Sequence, residues 1–121
     1  MNILIVDDSR SMRSIVRRTL RLAGLANHSI EEASNGVEAL AYVKEHHPDL
    51  VMSDFNMPEM DGMHLLANLK QEGICPRFGF VTSDASPELK ANAEAAGAIF
   101  VITKPFTPEV FESTLGPVLS P

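Results

Sequence analysis

Residues 3–8 read Ile-Leu-Ile-Val-Asp-Asp, an apolar run that ends abruptly in two acids. Because apolar and polar residues do not alternate in this run, it predicts a strand that is covered on both faces. Strands of this kind belong to parallel sheets, in which helices pack against both sides. The opening of the chain therefore favours an α/β fold built on a parallel sheet.

The same alternation of strand and helix continues along the chain. Residues 10–23 predict an amphipathic helix, because Met12, Val16 and Leu20 recur at helical spacing and Gly24 follows as a stop signal. By similar patterns we expect strands at 29–33, 50–53, 78–82 and 99–103, and helices at 37–47, 63–72, 87–96 and after Pro108. Five strands that are each followed by a helix predict one doubly wound α/β domain over residues 1–121.

The last helix is predicted to be short. Gly116 and Pro117 are poor helix residues, and a proline in a helix interior removes a hydrogen bond and crowds the preceding turn. We therefore expect this helix to end near Leu115.

Composition limits the classes of function. The chain has 121 residues, 45% of them hydrophobic, with a formal net charge of -6. No signal peptide or membrane span is visible, and the single Cys75 has no partner for an internal disulfide, so it is expected to pack as a small hydrophobic residue. The arginines of the first helix are mixed with apolar residues and form no basic stripe for nucleic acid. We expect a cytoplasmic monomer that binds neither membranes nor nucleic acid.

Polar residues follow the predicted strands where a parallel sheet places its ligand site, at the carboxyl ends. The residues in these positions are Asp7, Asp8, Asp54, Thr82, Ser83, Lys104 and Pro105. Taken singly, an acid here can be a helix cap or a turn residue, and Lys104 a surface lysine. Three neighbouring carboxylates repel one another unless a cation relieves them, and Mg²⁺ prefers oxygen ligands. We therefore expect a magnesium site.

The same residue types suit phosphoryl chemistry. An aspartate carboxylate such as Asp54 can act as a nucleophile and become an aspartyl phosphate. The Lys104 ammonium and the Thr82 hydroxyl would then bind the remaining phosphoryl oxygens, one as a charge and the other as a hydrogen-bond donor.

Five short motifs occur in order along nearly the whole chain. They are Ile5-Val6-Asp7-Asp8-Ser9, Ser53-Asp54-Phe55-Asn56-Met57-Pro58, Met60-Asp61-Gly62, Val81-Thr82-Ser83 and Lys104-Pro105-Phe106. With these five motifs the chain resembles the receiver domain of two-component response regulators, and in particular the single-domain chemotaxis type. The resemblance implies a flavodoxin-like (βα)5 fold with a five-stranded parallel sheet of order 2-1-3-4-5.

The resemblance also implies a role for each site residue. Asp54 becomes the phosphoacceptor, Thr82 the switch hydroxyl and Lys104 the phosphoryl-binding cation. The implied Mg²⁺ ligands are Asp8 directly, Asp7 through water, Asn56 through its backbone carbonyl, and Asp54. A cis peptide between Lys104 and Pro105 is implied as well.

Partners follow from the same resemblance. The phosphoryl donor would be a sensor histidine kinase or a histidine phosphotransfer protein, and the output would pass to a downstream protein that the sequence does not identify. The chain would catalyse only its own phosphorylation and dephosphorylation, with Asn56 and Asp84 tuning the rate of the latter. It would not be an enzyme acting on other substrates.

One position departs from the family pattern. Receivers often carry an aromatic residue three positions before the motif lysine, where this chain has Val101. The neighbouring Phe100 should point to the opposite face of the sheet, by strand alternation. We therefore expect activation to shift the loop after Thr82 and the start of the fourth helix without an aromatic rotamer change in the fifth strand.

Three other functions are compatible with parts of the pattern. A receiver fold can bind partners without phosphorylation. A haloacid-dehalogenase-type phosphohydrolase also uses Asp, Thr and Lys with Mg²⁺, but it needs a second acid where this chain has Asn56. A flavin carrier of this fold would need Ser, Thr and Gly donors after the first strand, where Asp7 and Asp8 stand. We interpret Met57, Met60 and Met63 as packing residues rather than a partner groove.

Overall fold

The computed structural model of the protein describes residues 1–25, 27–84 and 86–119. The strands of its sheet are β1 (Asn2–Val6), β2 (Ser29–Ala33), β3 (Leu50–Ser53), β4 (Arg77–Thr82) and β5 (Val101–Thr103). The helices are α1 (Arg10–Leu22), α2 (Gly36–His46), α3 (Gly62–Gln71), α4 (Pro87–Ala95) and α5 (Pro108–Leu119). Each strand is followed by a helix, which confirms the predicted alternation.

All strand pairs are parallel, in the order β2-β1-β3-β4-β5. Val6 at the end of β1 is in register with Ala33 of β2 and with Ser53 of β3. Thr82 at the end of β4 is likewise in register with Thr103 of β5. The carboxyl ends of the strands therefore meet along one edge, and the expected flavodoxin-like (βα)5 fold is confirmed.

A core cluster covers each face of the sheet. On one face Ile3 and Ile5 of β1 pack with residues of α1 and α5. On the other face Leu4 and Val6 pack with residues of α2, α3 and α4. The uninterrupted apolar run of β1 is thus buried on both sides, which is the reason it shows no alternation.

Helix starts are set by side-chain caps. Ser9, Asn35, Asp61 and Ser86 each accept a hydrogen bond from the backbone N–H three residues later, at the starts of α1 to α4 respectively. Such caps satisfy backbone donors that have no partner inside the helix. Two of them, Ser9 and Asp61, lie inside the sequence motifs and fix the helices that border the predicted site.

The prediction that the last helix ends near Leu115 is wrong, because α5 continues to Leu119 with Pro117 inside it. Leu115 and Leu119 are four residues apart on one face, and both are buried in the core. In addition, Arg77 donates a hydrogen bond to the Val118 carbonyl in the last turn. Packing and this bond outweigh the local preference of proline to end a helix.

Other packing predictions hold. Met57 is buried in the α2–α3–α4 core cluster, and Met60 and Met63 pack against it, which confirms that they are packing residues. Cys75 also packs against this cluster, and burial raises the pKa of its thiol. Among the helices that the structure describes, none is long and apolar enough to cross a membrane.

Candidate phosphoryl-acceptor site

Three carboxylates converge at the carboxyl edge of the sheet. Asp7 and Asp8 follow β1, and Asp54 follows β3, which lies beside β1 in the sheet. One ligand atom from each lies within 4.8 Å of the others. Asp7 is buried, Asp54 is partly buried and Asp8 is exposed, so the cluster opens to solvent on the Asp8 side.

Asp7 is the most constrained of the three. Its backbone N–H donates to the Ala33 carbonyl at 3.1 Å. Its Oδ1 atom accepts from the Ser9 N–H at 2.9 Å, and its Oδ2 atom lies 3.3 Å from the Lys104 ammonium. Because only 4% of Asp7 is exposed, its carboxylate is stabilised by these side-chain contacts rather than by water.

Asp54 lies in an environment that disfavours its charge. Burial is the main cause that raises the pKa of its carboxyl, and the negative charge of Asp7 raises it further. Attraction to Lys104 and the N–H of Phe55, which donates to Asp54 Oδ1 at 2.8 Å, act in the opposite direction. A second cation near this carboxylate would therefore stabilise its ionised form.

Lys104 bridges two of the acids. Its Nζ atom is 3.3 Å from Asp7 Oδ2 and 3.6 Å from Asp54 Oδ1, and its side chain is 16% exposed. The backbone N–H of Lys104 donates to the Thr82 carbonyl at 2.7 Å, so the strand pairing of β4 with β5 places it. The peptide between Lys104 and Pro105 is cis, as expected.

Thr82 is fully buried at the end of β4. Its Oγ1 atom accepts a hydrogen bond from the Asp84 N–H at 3.1 Å, and the Asp84 carboxylate accepts one from the Ser86 N–H at 2.9 Å. Ser86 in turn caps α4. A short chain of bonds thus connects the Thr82 hydroxyl to the start of that helix.

The loop after Asp54 requires a glycine at its end. A Cβ atom on Gly62 would lie 2.4 Å from the Asp54 carbonyl and 2.6 Å from the Phe80 ring, so only glycine fits against β3 and β4. The Gly62 N–H also donates to the Phe55 carbonyl at 2.8 Å. This closure leaves Asn56 exposed at the outer side of the loop.

The departure at Val101 is visible in the packing. Val101 is partly buried against the α2–α3–α4 core cluster, whereas Phe100 is 7% exposed and belongs to the α1–α5 cluster. The two side chains therefore lie on opposite faces of the sheet, as predicted. The Phe100 ring lies directly over Gly79, where an added Cβ atom would come within 2.2 Å of it.

Sequence reasoning identified the acids, Thr82 and Lys104, but it missed two neighbours of Asp7. Ser9 could have been found from its position just before an amphipathic run, which is a cap signal. Arg13 donates to the Asp7 backbone carbonyl at 2.6 Å, and no sequence pattern distinguishes it from the other arginines of α1. Contacts across the end of β1 become visible only in the fold.

The donor set suits a hard divalent cation. Carboxylate oxygens are the ligands that Mg²⁺ prefers, and the site offers three of them with one open side for water or a phosphoryl oxygen. The raised pKa of Asp54 is a further reason to expect a cation, because the local field of Lys104 does not fully offset burial. The residues present therefore fit magnesium.

Comparison with known proteins agrees with this geometry. A family described as "Response regulator receiver domain" matches residues 3–115. Chemotaxis protein CheY-3 of Vibrio cholerae is 38% identical over 117 residues, covering 95% of this chain and 88% of that protein. Chemotaxis protein CheY of Bacillus subtilis is 39% identical over 104 residues, covering 86% of this chain and 85% of that protein. The solved structure of V. cholerae CheY4 has a TM-score of 0.84 and 37% identity, and 98% of each chain is covered.

Proposed function

Because the chain belongs to the response regulator receiver domain family and is of the CheY type, we propose that it accepts a phosphoryl group on Asp54, with Mg²⁺, and signals through the resulting change of shape. One observation carries the proposal. The Asp54 carboxylate lies at the open edge of the sheet beside two further acids, with a lysine ammonium 3.6 Å away. A nucleophile, ligands for a cation and a phosphoryl-binding charge are thus in one place.

The transfer follows from the positions of these groups. An Asp54 oxygen attacks the phosphorus of a phosphohistidine on the donor protein, forming a P–O bond as the P–N bond breaks and its electron pair returns to the imidazole. Lys104 is close enough to neutralise charge on the transferred group, since its ammonium already lies beside Asp54. Mg²⁺, when bound, offsets the negative charge of both carboxylate and phosphoryl group.

We assign the magnesium ligands as Asp8 and Asp54 directly, Asp7 through water and the backbone carbonyl of Asn56. The clustering of the three carboxylates supports the first three assignments. Asn56 is exposed and follows Asp54 by two residues, which is compatible with the fourth.

The switch would act through Thr82. A phosphoryl group on Asp54 adds about two negative charges and strong acceptor oxygens, toward which the Thr82 hydroxyl can donate. Because this hydroxyl accepts from the Asp84 N–H, and Asp84 contacts the cap of α4, its movement would be transmitted to the start of that helix. Hydrolysis of the acyl phosphate would reset the site, at a rate that Asn56 and Asp84 tune.

The donor would be a sensor histidine kinase or a histidine phosphotransfer protein in the cytoplasm, and the output a protein that distinguishes the two states. The similarity to chemotaxis proteins of V. cholerae and B. subtilis supports a role of the chemotaxis type. A phosphohydrolase is disfavoured because Asn56 cannot supply the general acid that such an enzyme needs at this position. A module that is never phosphorylated is disfavoured because every site residue is retained.

The test is direct labelling of the acceptor. The protein is incubated with acetyl phosphate and Mg²⁺, and the modified residue is mapped by mass spectrometry after borohydride trapping. We expect label on Asp54, and none on Asp54→Asn. Asp49→Asn, at the other end of β3, is the matched control and should label like the wild type. Label at the wild-type level on Asp54→Asn would contradict the proposal.

A further inference from the structure

Asp8 is the acid of the cluster whose side chain is least restrained. Among the residues that the structure describes, no hydrogen bond or ion pair restrains its exposed carboxylate. Its position is therefore set by the backbone, and above all by the peptide group that joins Asp7 to Asp8. The carbonyl oxygen of that peptide is the Asp7 carbonyl.

Arg13 is hydrogen-bonded to this carbonyl. The Nη1 atom of Arg13 donates to the Asp7 carbonyl at 2.6 Å, while its Nε atom lies 3.0 Å from Glu32 Oε1 on β2. The side chain of Arg13 is only 14% exposed, and its planar guanidinium makes both contacts at once. The arginine thus ties the peptide before Asp8 to a neighbouring strand.

Glu32 is fixed in turn by a second arginine of α1. Arg17 contacts Glu32 Oε2 at 2.8 Å and donates to the Ile30 carbonyl at 3.1 Å. Glu32 itself is in register with Ile5 of β1, two residues before Asp7. Only one of the two arginines, Arg13, reaches the backbone of the acid pair.

We propose that Arg13 is a positioning residue that orients the Asp7–Asp8 peptide and thereby places the Asp8 carboxylate for Mg²⁺. This inference rests on the proposed function, since it assumes that the cluster binds the ion. Its physical basis is that an acid whose backbone is held in place loses less freedom when the metal binds. Loss of a contact in the outer shell of a metal site typically weakens metal affinity about 10- to 100-fold.

The charge of Arg13 and its positioning role should change the Mg²⁺ affinity in opposite directions, so a measurement can distinguish them. Arg13 is a cation hydrogen-bonded to the backbone of Asp7, a member of the acidic cluster, so its charge alone opposes Mg²⁺ binding. Removal of that charge would tighten binding if electrostatics dominated. Loss of the hydrogen bond to the Asp7 carbonyl would weaken Mg²⁺ binding if the positioning effect dominated. The sign of the change in affinity therefore identifies the role.

The experiment measures the Mg²⁺ dissociation constant by isothermal titration calorimetry for the wild type, Arg13→Met, Arg13→Lys and Arg17→Met. Melting temperatures of the metal-free proteins are recorded in parallel. We expect Arg13→Met to bind Mg²⁺ about 10-fold more weakly. Arg13→Lys keeps the charge but not the planar fork, and it should be weakened as well. Arg17→Met, which loses the same Glu32 partner, should bind as tightly as the wild type or slightly more tightly.

Arg17→Met controls for stability, because both methionine variants leave Glu32 with a single arginine. If Arg13→Met bound Mg²⁺ as well as the wild type, or if Arg17→Met were weakened equally, the positioning role of Arg13 would be overturned. If the wild type itself bound no Mg²⁺, the metal part of the proposed function would fall and this inference with it. The two failures are thus distinct.

Discussion

The ammonium of Lys104 lies 3.3 Å from the Oδ2 atom of Asp7, across the carboxyl edge of the sheet. Lysine and aspartate are 97 residues apart in the chain, and the pairing depends on β1 and β5 ending at the same edge. Because Asp54 is also within 3.6 Å of this ammonium, the lysine serves as a resident cation in a cluster that suits a divalent one. Lys104 and a bound Mg²⁺ would therefore stabilise the same carboxylates.

This relationship predicts the effect of removing the lysine. Lys104→Met should lower the stability of the metal-free protein by about 1–3 kcal/mol, because the almost fully buried Asp7 carboxylate would lose a hydrogen-bond partner. Mg²⁺ should restore part of the loss, so its stabilising effect should be larger on the variant than on the wild type. Thermal melts with and without millimolar Mg²⁺ measure both quantities.

Asp8→Ala supplies the reference for that experiment, since it removes a proposed direct ligand from the exposed side of the cluster. At a Mg²⁺ concentration ten times the dissociation constant, the wild type should gain about 1.4 kcal/mol. Asp8→Ala should gain much less. If Mg²⁺ does not change the melting temperature of the wild type, the cluster is not a magnesium site.

A second prediction concerns pH. Burial and the Asp7 charge raise the pKa of Asp54 in the folded protein, so its ionised carboxylate destabilises the metal-free fold. For a group with a raised folded pKa, the favourable contribution is present below the unfolded pKa and is lost as pH rises through the folded pKa. Asp54→Asn should therefore be more stable than the wild type at pH 7 without metal, and this gain should shrink below pH 4.

Urea unfolding at the two pH values, in the presence of a chelator, measures that gain. Glu112→Gln, which neutralises an exposed acid of α5, is the control for the general loss of one negative charge. An Asp54→Asn protein that was less stable than the wild type at pH 7 would mean that attraction to Lys104 outweighs burial.

The fold was largely predictable because its signals are local. The unalternating run of β1 and the residue just after each strand indicate a parallel sheet and the edge where ligands bind. The end of α5 was not predictable in this way. Pro117 is a local stop signal, but the burial of Leu119 and the bond from Arg77 depend on where α5 meets β4.

For the candidate site, the sequence predicted the residue types but not the contacts between them. Strand ends gave its residue types, whereas the pairing of Lys104 with Asp7 and the contact of Arg13 with the Asp7 carbonyl needed the register of the sheet. Neither contact follows from spacing, because one spans nearly the whole chain and the other depends on how α1 lies across the end of β1.

A third prediction separates acceptance of the phosphoryl group from its transmission. Thr82→Ala should be labelled by acetyl phosphate within about 2-fold of the wild type, because the hydroxyl is not the nucleophile. It should lose the response of α4, since the bond from Asp84 to Thr82 Oγ1 is gone. Hydrogen exchange of Pro87–Ala95 with and without beryllofluoride, a phosphoryl mimic, measures that response.

Thr103→Ala is the matched control, because Thr103 ends β5 in register with Thr82 but is exposed. It should keep both labelling and the α4 response. A Thr82→Ala protein that accepts no label would instead assign the hydroxyl to the transfer step.

The last prediction rests on the packing of Phe100 over Gly79. Phe100 is buried in the α1–α5 cluster, and its ring fills the space above a glycine, so it cannot rotate toward solvent without leaving a cavity. Val101 lies on the other face and is stiff and small, so it cannot replace an aromatic switch. Activation should therefore move the segment after Thr82 and the start of α4 while Phe100 keeps its rotamer.

Crystal structures of the free protein and of its beryllofluoride complex make this comparison directly. Gly79→Ala tests the packing on its own, because the new Cβ atom would come within 2.2 Å of the Phe100 ring and should destabilise the fold by about 1–3 kcal/mol. Gly116→Ala, whose added Cβ atom meets nothing within 4 Å, is the control; because alanine favours a helix more than glycine does, this variant should be at least as stable as the wild type. A Phe100 ring that swings into solvent in the complex would show that an aromatic switch operates from the opposite face of the sheet.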